Sequence, residues 1–154
     1  MCGRFAQFTP IEDLVEEFEI DQVISDLGPS YNIAPGQEIS VIIIDQGRKL
    51  VKMKWGLIPS WADDEKIGYK MINARSETIR EKPSFRTSFK KRRCLILADG
   101  FYEWKTEGKE KIPVYVKLNS GEPFPIESVV DRLSPCSRYP LGRRNFPVRR
   151  PAFP

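Results

Sequence analysis

From residue 11 onward the chain sets apolar positions on a helical period. Ile11, Leu14, Val15 and Phe18 fall at i, i+3, i+4 and i+7, while Glu12, Glu16, Glu17 and Glu19 occupy the other side. This spacing predicts an amphipathic helix that packs as scaffold. Thr9-Pro10-Ile11-Glu12 reads as its capping box, with Pro10 at the first helical position. The period then changes. Ile39 to Ile44 is β-branched and apolar apart from Ser40, which suits a buried strand. Asp45-Gln46-Gly47-Arg48 turns the chain into a second strand, Lys49 to Trp55, predicting a hairpin.

The same reading continues toward the C-terminus. Tyr31-Asn32-Ile33-Ala34-Pro35-Gly36 is expected to be an extended loop closed by a Pro-Gly turn, and Gly56 to Trp61 another loop. Pro83 opens a short helix with Phe85 and Phe89 one turn apart. Cys94 to Ala98 is a buried strand, and Asp99-Gly100 turns into the alternating Phe101-Tyr102-Glu103-Trp104. Lys105 to Lys111 reads as a polar loop before a returning strand, Pro113 to Leu118. Irregularly interspersed strands and two helices, with no internal repeat, predict an α+β domain with mainly antiparallel sheets.

Residues 123–154 break the pattern. They hold seven of the thirteen prolines and, from Arg132, six arginines and no acid. Such a segment offers no face to pack and is expected to be irregular. The domain is therefore placed at 2–123 and a Pro/Arg-rich tail at 124–154.

A length of 154 residues, 40% apolar and 30% charged, fits one soluble globular domain. No apolar run approaches the ~20 residues of a membrane span, and no secretion signal is evident. Cys2, Cys94 and Cys136 are too few and too scattered for a disulfide framework or a zinc site. A reducing, cytoplasmic, nucleoid-associated location is expected. The chain has no histidine, which excludes Ser-His and Cys-His dyads. Charge is lopsided: residues 1–30 carry seven acids against Arg4, whereas residues 80–93 carry seven bases against Glu81. The basic segment is either a solvated helix face or a surface for a polyanion.

The candidate chemistry begins at Met1-Cys2-Gly3-Arg4. Removal of Met1, usual before a small residue, leaves Cys2 with an α-amine and a thiol on adjacent carbons. These groups titrate near roughly 8 and 8.5, so part of each is nucleophilic near neutrality. With an aldehyde the amine forms a Schiff base, and the thiolate closes a five-membered thiazolidine without any cofactor. The remaining polar residues are weaker signals. Asn73 alone reads as a turn cap. Glu103, in an apolar strand, is either on an exposed face or placed for acid/base work. Trp61 and Pro35 are either loop packing or a platform for a nucleobase.

Five stretches in order resemble the SOS response-associated peptidase (SRAP) family of abasic-site crosslinking proteins. They are Met1 to Phe5, Tyr31 to Gly36, Trp55 to Trp61, Ile72 to Thr78 and Arg93 to Trp104. The resemblance implies a groove for single-stranded DNA, with Cys2, Asn73 and Glu103 catalytic and no metal. Arg4 and Arg75 would hold phosphates, and Asn32, Pro35 and Trp61 would line the groove. The implied partner is single-stranded DNA containing abasic sites, bound by a monomer. A family motif carrying a histidine has no counterpart here, and the pattern stops near Phe124 as a change of reading frame would make it stop. Other readings stay open: an N-terminal-nucleophile thiol peptidase, a lyase-like activity, a non-covalent single-strand binder, or an inactive truncated product.

Overall fold

The structure is a computed structural model that describes residues 3–25 and 27–130. Among the described residues nine strands form two sheets. The first, four-stranded, has the order β3 (Ser30–Ile33), β1 (Arg4–Gln7), β7 (Gly100–Glu107), β8 (Glu110–Val116). The second has the order β2 (Gln22–Val23), β5 (Arg48–Lys54), β4 (Glu38–Ile44), β6 (Arg93–Ala98), β9 (Phe124–Val129). Every pairing is antiparallel except the short β2–β5 contact. The expected α+β class and its largely antiparallel sheets are therefore what the chain forms.

The continuous apolar run in β4 is explained by burial on both faces. Ile42, with Leu50 and Leu97, packs against Leu14 and Ile20, and helix α1 (Ile11–Glu17) lays Ile11 and Val15 on the same cluster. Ile39, Val41 and Ile43 face the other way, toward Phe5 and Ile33 of the first sheet and Trp55. The second sheet is thus covered by α1 on one side and by the first sheet on the other. Removing a fully buried side chain such as Leu14 should cost about 2–5 kcal/mol.

The capping box does not form. Pro10 is itself the N-cap, no side chain caps the helix, and Thr9 spends both its N–H and its hydroxyl on Asp99. The last turn is closed by Arg48, whose guanidinium reaches the Phe18 carbonyl at 2.8 Å and Glu19 at 2.5 Å. Helix α2 (Pro83–Lys91) starts on Pro83 as expected, with Phe85 buried and Phe89 half-buried.

Three expectations are revised. Residues 30–33, read as loop, are strand β3, because β1 supplies a ladder the local sequence does not reveal. Lys105 to Lys111 is mostly strand: β7 runs to Glu107 and β8 starts at Glu110, joined by a two-residue turn at Gly108. The irregular tail does not begin at 124. Phe124–Val129 pairs with all of β6, and Phe124 and Ile126 pack on the core. Pro125 fits there because β9 is an edge strand, where a missing N–H need not break a ladder. Residues 131–154 lie outside the described residues.

Candidate functional site

Arg4 opens β1, which is flanked by β3 and β7. Its Nη1 donates to Asn32 Oδ1 at 3.1 Å. The β1–β3 register, Phe5 with Ile33 and Gln7 with Ser30, leaves one extra residue on β3. Bulges re-aim side chains. Here the successive residues Tyr31 and Asn32 both face solvent, and Asn32 meets Arg4.

On the other flank Arg4 pairs with Tyr102, and Phe5 with Phe101. Glu103 is the next residue of β7, half-buried, on the face it shares with Phe101. Cys2 lies outside the described residues.

Asn73 arrives on the Phe5 face of β1, the face away from Arg4. Trp55 Nε1 donates to the Ile72 carbonyl at 3.0 Å, and Leu57 N–H to the Met71 carbonyl at 3.1 Å. These bonds deliver half-buried Asn73 to a cavity of about 210 Å³ whose walls include Phe5, Met53, Trp55 and Cys94. Phe5 meets Trp55 edge-on, with centroids 5.3 Å apart. One strand therefore offers Arg4 on one face and, at the next residue, a wall of the Asn73 cavity on the other.

Pro35 and Gly36 form a turn in which Gln37 N–H bonds the Ala34 carbonyl at 3.2 Å. Gly36, at φ +87°, must be glycine twice over: the conformation is left-handed, and a Cβ would come within 2.5 Å of the Tyr69 ring. Lys54 Nζ lies 5.9 Å from the centroid of that same ring. Trp61 and Tyr69 are each 58% exposed.

A family model described as SOS response associated peptidase (SRAP) matches residues 1–141. The chain belongs to the SRAP family. Among its relatives, the abasic site processing protein YoaM of Bacillus subtilis is 50% identical over 145 residues. That alignment takes in 92% of this chain and 64% of YoaM. YedK of Escherichia coli, also an abasic site processing protein, is 36% identical over 80% of this chain and 57% of its own length. A phage-related protein of known structure from Bordetella bronchiseptica superposes with a TM-score of 0.67 at 32% identity, over 83% of this chain and 60% of that one. The chain spans less than two thirds of the length of these relatives. The SRAP match runs past Phe124, where the recognisable motifs stop.

Of the site residues expected in this SRAP chain, the structure joins Arg4, Asn32 and Glu103 through one sheet and brings Asn73 to the far face of β1. Arg75 stands exposed at the head of a turn, its carbonyl accepting from Thr78 and Ile79 N–H at 3.1 and 3.0 Å. The Glu77 carboxyl beside it is held below the usual carboxylate range by its own backbone N–H, then by the Ser76 hydroxyl, with the Arg75 charge adding a smaller pull. Trp61 sits on a separate turn, where Ala62 N–H bonds the Pro59 carbonyl at 2.9 Å. No bond joins Trp61 or Arg75 directly to the Arg4 pair among the described contacts.

The basic segment divides by role. Arg80 and Arg93 lie over the Phe89 ring at 5.5 and 5.8 Å, and Arg92 bonds the Val130 carbonyl at 3.1 Å. Lys82, Arg86, Lys90 and Lys91 remain exposed on or beside α2. Sequence reasoning missed two supports of the site. Tyr69 lies in a 3-10 turn, Glu65–Lys70, whose pattern gave no signal. Asp99, read as a turn residue, is 3% exposed and binds the backbone of Phe8 and Thr9.

Proposed function

We propose that this chain acts on abasic sites in single-stranded DNA, forming a covalent thiazolidine crosslink through Cys2 once Met1 is removed. The observation that carries the reading is the β1–β7 register. Arg4 pairs with Tyr102 in it, so the Arg4 strand runs beside the strand that carries Glu103. The names of the relatives, abasic site processing proteins, support the same substrate.

The chemistry follows from the groups. An abasic deoxyribose in its ring-opened form is an aldehyde attached to a polyanion. The Cys2 amine adds to the carbonyl carbon, and the carbinolamine loses water to give an imine. The thiolate then adds to the imine carbon while the nitrogen takes up a proton, closing the ring with a net loss of one water. The second addition is intramolecular, which favours it strongly over attack by an external thiol. Glu103 accepts the hydroxyl proton during ring opening and returns one to the departing oxygen, a role worth about 10²–10⁴ in rate. Asn73 orients the amine or the sugar through its amide. Arg4, steered by Asn32, and Arg75 hold phosphates, which fixes register without reading sequence. Pro35 and Trp61 line the groove.

The test is intact mass under denaturing conditions after incubation with a single-stranded oligonucleotide carrying one abasic site. The expected product is protein plus oligonucleotide less one water, absent for Cys2→Ser. No adduct with the wild-type chain would sink the proposal. Salt-sensitive binding without an adduct would instead give the non-covalent reading, which the exposed bases of α2 favour.

A further inference from the structure

Two aromatic rings stand stacked in the open near Arg4. Phe8, just past β1, and Tyr31, in β3, have centroids 5.1 Å apart and planes within 17°. Yet Phe8 is 38% and Tyr31 65% exposed. A near-parallel pair covers one face of each ring. With Phe8 behind it, the more exposed Tyr31 offers its other face to solvent.

The pair is held from below at both ends. Phe8 N–H donates to the buried Asp99 carboxylate at 2.5 Å, and the Tyr31 carbonyl accepts from the Tyr102 hydroxyl at 2.9 Å. The bulge in β3 that turns Tyr31 outward also turns Asn32 outward, and Asn32 binds Arg4. An aromatic face and a cation are thus carried on adjacent residues of one strand and its partner. That combination suits a single-stranded nucleic acid, whose bases offer flat faces and whose backbone offers negative charge.

We infer that Phe8 and Tyr31 form a base-stacking platform for single-stranded DNA. A nucleobase next to the lesion lies on the open face of Tyr31, Phe8 backs the ring, and Arg4 holds a neighbouring phosphate. The contact is tolerant of sequence, since every base has a π-face. This inference rests on the reading of Arg4 as a phosphate ligand.

The test uses the full chain in a Cys2→Ser background and an unmodified, fluorescein-labelled single strand, followed by anisotropy. Tyr31→Ala is expected to weaken binding by roughly 5- to 150-fold, the range for loss of one base–aromatic stack. Tyr31→Phe should stay within about twofold because the ring is kept. Tyr31→Leu, which retains apolar bulk without a π-face, should behave like Tyr31→Ala and guards against a trivial packing effect. Urea midpoints within error of the parent chain keep the comparison one of binding. Leucine binding as tightly as tyrosine, or a parent chain that does not bind the strand, overturns the platform. Adduct yield with an abasic oligonucleotide is read in parallel on the Cys2 chain. An adduct with Tyr31-independent binding overturns the platform alone; Tyr31-dependent binding without an adduct overturns the crosslinking proposal alone.

Discussion

Thr9 and Asp99 are bonded twice across the fold: the Thr9 N–H donates to Asp99 Oδ2 at 3.0 Å, and the Thr9 hydroxyl donates to Oδ1. The same carboxylate accepts the Phe8 N–H at 2.5 Å. A single buried side chain therefore ties the entry to α1 onto the corner between β6 and β7. Asp99→Ala strands two backbone donors, each worth about 1–3 kcal/mol when left unpaired. The expected loss is about 2–6 kcal/mol, and Thr9→Val, which removes the hydroxyl alone, should lose about 1 kcal/mol. Urea denaturation with an unchanged m-value checks both. An unchanged midpoint for Asp99→Ala would remove the clamp from the account.

Glu103→Gln should leave binding of an unmodified strand within about twofold while slowing crosslinking by about 10²–10⁴, because the amide keeps the shape and loses the proton transfer. A time course of adduct formation at saturating oligonucleotide reads this directly. Equal rates for the two chains would show that Glu103 takes no part in the chemistry.

Arg4→Gln should weaken binding to every single strand alike and flatten the plot of log K against log salt by about 0.7, the slope for one phosphate contact on a single strand. Asn32→Ala should produce a smaller loss in the same direction, since it removes the 3.1 Å bond that helps aim the guanidinium. A sequence-dependent loss would contradict the assignment of Arg4 to phosphate.

Much of this arrangement was open to sequence reading where a local pattern carried it. The run Ile39–Ile44 announces a doubly covered strand, and the spacing of Leu14 and Val15 announces α1. Other elements depend on partners far away in the chain. Residues 30–33 become a strand only because β1 runs beside them, and the bulge that exposes Tyr31 and Asn32 together exists only in that pairing. Phe124–Val129 looked like the start of a proline-rich tail because Pro125 breaks its pattern, yet an edge position tolerates it. The Thr9 capping box failed for a related reason: a distant carboxylate outcompeted the helix for the same hydroxyl. The family resemblance named Arg4, Asn32, Asn73 and Glu103, but not that β1 would carry two of their environments on its two faces.

Tyr115 gives a prediction in pH. Burial, then the Asp99 charge and then Tyr102, hold its phenol above its ordinary value of 10.0. A raised folded-state pKa favours the protonated form, so its contribution to stability is complete below the unfolded value and is lost as pH rises through the folded one. Tyr115→Phe should lose a tyrosine component titrating above pH 10 in absorbance at 295 nm, and should resist alkaline unfolding better than the parent. The ring lies against Gly100, where a Cβ would also meet the Val116 carbonyl at 2.7 Å. Gly100→Ala should therefore push β8 from β7 and destabilise by about 1–3 kcal/mol.

The pairing of Arg4 with Tyr102 also has a consequence in time. Strand β1 is among the first parts of the chain to be synthesised, but its partner in β7 exists only after about a hundred residues, roughly 5–20 s later at ordinary elongation rates. Until then β1 has β3 on one flank and nothing on the other, and Glu103 has not been made. A nascent chain thus passes through an interval in which β1 lacks the strand that completes its sheet on that flank.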